Sequence, residues 1–193
     1  MNKKLAAALS GGAVLMAALT GCSSGGGSDN SDKLDAWAKQ VCDAVQPQAK
    51  KIADANAAIQ KQTSDNSAPA DVQKTDAKAF QDMSDAYKAI GAAVNSAGAP
   101  DVDNGKKKQQ DAVRELNQIG ASYASLKKQV DELDTKDQAK FADGLKDIAT
   151  QLDKLSTTGN DALKNLEEGD VGKAMAKQES CKSASSSASA TAG

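Results

Sequence analysis

The sequence predicts an all-α protein, an antiparallel up-down-up-down four-helix bundle with a short extra C-terminal helix. Three observations carry this. From Asp32 onward the apolar residues step by three and four, the spacing of one helix face. No segment alternates with period two, so no strand is expected. Between the stripes lie residues that end helices and start them.

The first stripe is Leu34, Trp37, Val41, Val45, Ile52 and Ile59. Pro47 falls inside it and is expected to kink the helix, because it lacks an N–H and crowds the preceding turn. Thr63 to Asp71, with Pro69, separates this helix from the next. The second stripe is Val72, Phe80, Met83, Tyr87, Ile90 and Val94. Gly98 and Pro100 stop it, and Asp101 or Asp103 is expected to cap the third helix. The third stripe is Val113, Leu116, Ile119, Tyr123, Leu126, Val130 and Leu133. Thr135-Lys136-Asp137-Gln138 matches a capping box and predicts a tight turn into the fourth helix. The fourth stripe is Phe141, Leu145, Ile148, Leu152, Leu155, Leu163 and Leu166. Gly159-Asn160-Asp161 leaves open whether that helix is split. Gly169 ends it, and a short last helix carries Val171, Ala174 and Met175. Short connections favour antiparallel neighbours.

The chain holds 24 basic and 26 acidic side chains, and Arg114 is its only arginine. A mildly acidic surface is no footprint for nucleic acid. No histidine is present, which excludes Ser-His-Asp and Cys-His nucleophiles and His-ligated zinc or haem. Asp101-Val102-Asp103-Asn104-Gly105 fails as a calcium loop: its glycine falls at position five, and Ala112 stands where a bidentate Glu is required. Gly25-Gly26-Gly27 lacks the strand and GK[ST] of a phosphate loop. Lys106-Lys107-Lys108 reads as a solvated turn. No cofactor or metal is expected. The many carboxylates read as solvated helix faces, and the chain is not expected to be an enzyme.

The first residues differ from all of this. Lys3 and Lys4 precede an uncharged run from Leu5 to Leu19, the layout of a secretory signal. Leu19-Thr20-Gly21-Cys22 follows and resembles the lipobox of bacterial lipoproteins. That resemblance covers residues 1 to 22. It implies cleavage before Cys22, diacylglycerol on its sulfur and an acylated new N-terminus. Together with WAKQVC at 37 to 42 and the late Cys181, the Ala/Asp/Lys/Gly-rich composition is similar to small secreted lipoproteins of high-GC Gram-positive bacteria. It implies a location on the outer face of the cell membrane and carries no activity. Two or more acyl chains make a stable anchor.

The expected organisation is then a signal peptide at 1–21, a Ser/Gly tether at 22–31, a helical domain at 32–182 and a disordered Ser/Ala-rich tail at 183–193. The tether reaches about 17 Å as a flexible coil. With Cys22 assigned to lipid, Cys42 and Cys181 remain, in a compartment where disulfides persist. A disulfide between them is expected near the membrane end, worth at most about 5 kcal/mol by chain entropy.

Trp37, Phe80, Tyr87, Tyr123 and Phe141 all lie on the stripes. Core packing accounts for them. A sharper expectation is a pocket between helices lined by Trp37, Tyr87 and Tyr123, with Asn56 and Asp76 as polar stripe positions. Leu34 and Trp37 near the tether are also candidates for lipid-headgroup contact. The leading functional expectation is a non-enzymatic envelope lipoprotein that binds a protein partner. The alternative is a carrier for a small apolar or lipid-like ligand in an interhelical pocket.

Overall fold

The structure, a computed structural model, describes residues 28–62, 67–158 and 161–189. The signal segment, Cys22 and Gly159 lie outside the described residues. All described secondary structure is helical: α1 (Ser28–Gln62), α2 (Pro69–Ala97), α3 (Gly105–Asp131), α4 (Gln138–Thr158), α5 (Asp161–Glu167), α6 (Asp170–Ala176) and α7 (Glu179–Ser189).

The first three helices run antiparallel in turn. Gln73 of α2 meets the end of α3, Ser84 meets Gly120, and Gln109 of α3 meets the end of α2. These pairs fix one register along the α2–α3 interface, the most extensive helix–helix interface among the described residues. Pro47 stays within α1 without ending it. Five exposed Lys-to-Asp pairs at i,i+4 lie along α1, α2 and α3. Each is worth a few tenths of a kcal/mol at most, so burial of the stripes, not surface charge, holds the helices together.

Two helix starts differ from expectation. The capping box at Thr135 does not form. Asp137 caps α4 instead, its carboxylate accepting from the Lys140 N–H at 3.2 Å, and Asp134 accepts from the Lys136 N–H. Asp137 sits directly before the first helical residue, where a side-chain oxygen reaches the N3 amide. Neither Asp101 nor Asp103 caps α3. Asn104 holds that position in the left-handed region, at φ 58°, and makes no side-chain cap. Asn tolerates that conformation.

The buried side chains form two clusters. The near cluster, at the end where α1 begins, joins Leu34, Trp37, Ala38 and Val41 to Val94, Ala112, Leu116, Leu166, Val171 and Ala174. The far cluster joins Ala55 and Ile59 to Phe80, Met83, Leu126, Val130 and Ile148. Thus α4 completes the far end, while α5 and α6 complete the near end. The single fourth stripe of the sequence is shared between two helices that serve different clusters.

The tether and tail boundaries are corrected. Helix α1 begins at Ser28, inside the segment expected to be tether. Helix α7 runs through Ser189, across residues 183–189 of the expected disordered tail. Composition alone argued against order there, but α7 borrows its support. It lies on α1, with Ala184 buried and Gln46 donating to the Ser183 hydroxyl at 2.6 Å. The pairings Asp35–Lys177, Asp43–Ser180 and Gln46–Ser183 ascend together, so α7 runs parallel to α1, away from the near end.

Candidate functional site

Cys42 and Cys181 are joined as a disulfide, 139 residues apart, with Cα atoms 5.0 Å apart. The pairing agrees with expectation. Cys181 stands in the first turn of α7.

Trp37 is 7 % exposed. Its indole N–H donates to the Gly98 carbonyl at 2.8 Å. Gly98 has φ +76°, a conformation that favours glycine. This glycine ends α2 and presents its carbonyl to the indole. One bond therefore ties the start of α1 to the α2–α3 turn. Leu34 and Trp37 point into the near cluster, not outward to a lipid surface.

Tyr87 and Tyr123 stack at 5.5 Å with rings 9° from parallel, and Phe80 lies 6.1 Å from Tyr123. Tyr87 packs on the near cluster and Tyr123 on the far one. The stack is thus the join between them, which forms the waist. Burial pushes both phenols above their ordinary range, and for Tyr123 the neighbouring Tyr87 adds to it. Both stay neutral hydrogen-bonding groups at any physiological pH. The register of α1 on α2 places Gln48 at this level. Its Oε1 is buried and accepts no hydrogen bond. Trp37 stands apart from this pair, so two of the three expected pocket residues come together.

Small residues set the waist spacing. The buried Ser84 hydroxyl donates to the Gly120 carbonyl at 2.8 Å. A Cβ on Gly120 would lie 2.9 Å from Lys88 Cγ and 3.1 Å from the Ser84 carbonyl oxygen. A side chain there needs Lys88 to move aside and the Ser84 carbonyl to give by a few tenths of an ångström.

Asp76 is 8 % exposed within the far end. Burial pushes its carboxyl up to about 6. Glu167, at the end of α5, is pushed up to about 7 for the same reason. Buried Asp76 and half-buried Glu167 sit at opposite ends and share no cleft, so they are not arranged as a catalytic pair. Asn56, the other polar stripe position, is half-buried.

An open cleft of about 700 Å³ lies between the far halves of α1 and α2. Ala55, Ala58, Thr75 and Ala79 line it together with Asp54, Asp71, Lys74, Lys78 and Asp82. Small side chains on both helices hollow it, and acids and lysines alternate around it. Lys50 pairs with Asp54, and Lys78 with Asp82. Sequence reasoning missed this cleft. Its signal is the run of alanines at 53, 55, 57 and 58, which reads as helix propensity until a second helix faces it. Among the described residues no group of three acidic or cysteine side chains converges to hold a metal ion.

Comparison with known proteins returns no family model, no curated protein and no solved structure that matches this chain.

Proposed function

We propose that this chain is a lipid-anchored extracytoplasmic protein of the cell envelope, tethered at Cys22, that binds a protein partner and catalyses nothing. Its fold in this reading is a four-helix bundle, with α5 completing the fourth position below α4 and with α6 and α7 as additions. The observation that carries the binding reading is the α1–α2 cleft. An alanine floor admits a helix backbone closely, and the mixed charges of its rim offer pairs to a partner bearing both signs. The Cys42–Cys181 bond supports a compartment outside the cytoplasm. Among the described residues no helix is long and apolar enough to cross a membrane, so attachment in this reading rests on Cys22.

The test is crosslinking on intact cells from a photoreactive residue placed at Ala58, followed by mass spectrometry. One recurrent protein adduct, abolished by Lys78→Glu together with Asp82→Lys, is expected. Adducts that are absent or indifferent to the rim charges overturn the cleft as the binding face. Intact-mass analysis of the membrane fraction checks the anchor, and an unacylated Cys22 overturns it.

The carrier reading has one observation in its favour, the waist. Two neutral phenols and the unpartnered Gln48 Oε1 lie at one level there. A lipid or metabolite released by denaturing the purified protein, and lost with Tyr123→Ala, would favour that reading over the cleft.

A further inference from the structure

The two cysteines of the disulfide differ in exposure. Cys42 is fully buried, at 0 % exposed, whereas Cys181 is partly exposed. Helix α7, which carries Cys181, has no large apolar side chain to bury against α1, its sequence being ESCKSASSSAS. Its described buried side chain is Ala184. Its polar ties to α1 include the Ser180–Asp43 and Gln46–Ser183 hydrogen bonds, both exposed. Exposed polar ties of this kind contribute little. The buried side of the bond is different. Cys42 lies on α1 beside Val41 and Ala38, and the Met175 carbonyl oxygen stands 3.9 Å from its sulfur. That oxygen is placed to accept the S–H of Cys42 once the bond opens.

We infer that the Cys42–Cys181 bond is a clasp for α7, opened by a dithiol reductant that attacks at Cys181 and leaves the rest of the bundle folded. The incoming thiolate bonds to Cys181 Sγ. The bond between the two protein sulfurs breaks, and its electron pair leaves on Cys42 Sγ, which takes a proton from solvent. The reductant's second thiol then attacks the mixed disulfide, closing the reductant's own disulfide and releasing Cys181 as a thiol. The reductant loses two electrons and the protein disulfide gains them. Direction follows from access: exchange rates depend on which sulfur can be reached. The product is a chain whose residues from 179 onward are free of α1, exposing the strip of α1 that they cover.

The test uses the full chain with its free thiols blocked beforehand. A brief exposure to glutathione, quenched by acid, is followed by peptide mapping. Glutathione on Cys181 at least tenfold over Cys42 is expected. An even distribution, a preference for Cys42, or no adduct without denaturant overturns the attack site. Hydrogen exchange is then compared before and after reduction by dithiothreitol. Amides of α7 are expected to exchange at least a hundredfold faster, with those of α2 and α3 changed less than about twofold. An α7 that keeps its protection overturns the clasp, and so does a loss of protection spread over the whole bundle. Cys181→Ser, which lacks the bond without any reagent, is expected to reproduce the reduced pattern.

Discussion

The two ends of this molecule close their cores by different means. The near end is fastened three times: by the Trp37–Gly98 hydrogen bond, by the packing of α6 onto α1 and of α5 onto α3, and by the disulfide through α7. The far end has no covalent tie among the described residues. It is closed by α4 alone and holds Asp76 within its wall. The far end also carries the open cleft between α1 and α2. The difference teaches that one fold closes one end covalently and leaves an open cleft at the other; under the tethering proposed at Cys22, the disulfide-closed end is the one nearer the tether.

Four measurements can break or sharpen that contrast. The largest effect is expected from Trp37→Ala, which empties the near cluster and removes the tie to Gly98. It should cost about 3–5 kcal/mol in urea unfolding. Trp37→Phe should cost only about 1 kcal/mol, the share of the hydrogen bond. Equal costs for the two would show that the bond, not the burial, fastens the near end.

Asp76→Asn should stabilise the far end at neutral pH. The folded carboxyl is pushed up to about 6 from an ordinary 3.8, so the folded state holds its proton more tightly than the unfolded one. Stability from this group is therefore lost as pH rises from about 4 through about 6, and it stays lower above that. The variant should gain up to about 3 kcal/mol at pH 7 and nothing below pH 4. A gain that is the same at both pH values would remove burial of the charge as its cause. Glu167 acts in the same direction at the near end over a window reaching about pH 7.

Gly120→Ala should cost about 1–3 kcal/mol, because its Cβ would press on Lys88 and the Ser84 carbonyl. That variant loosens the waist, so hydrogen exchange should rise in α2 and α3 and leave α6 protected. The smallest effects are expected from the two glutamine clamps. Gln73 donates to the Val130 and Leu133 carbonyls at the end of α3, at 2.9 and 3.0 Å. Gln109 donates to the Asn95 carbonyl at the end of α2, at 3.3 Å. Each change to Ala should cost about 1 kcal/mol, with Gln73→Ala the larger because the hydrogen bonds it removes are shorter. Thermal unfolding of the two variants tests that order.

What sequence reasoning could read depended on how local each cause is. The stripes from Leu34 to Leu166 place the long helices because a face is set by spacing within one segment. Helix starts were less legible. Thr135 and Asp137 both offer a capping oxygen, and the choice between them depends on where the turn from α3 delivers the chain. Among the candidate site residues, Tyr87 and Tyr123 came together while Trp37 did not. Their heptad-like spacing fixes a face but not which end of the interior that face serves.

By itself the sequence determined the helical class, the inward stripes and a cysteine pair left over once Cys22 is set aside. Each follows from short-range periodicity or from a count. The tertiary structure decided the rest: the division of the core into two clusters, the α1–α2 cleft, the burial of Asp76, and the order of the Ser/Ala-rich segment that α7 forms. All four depend on surfaces brought together from distant segments. Residues 183–189 show the reason most plainly. They cannot bury enough surface to fold alone, yet a helix forms there because Cys42, 139 residues before Cys181, holds its first turn against α1.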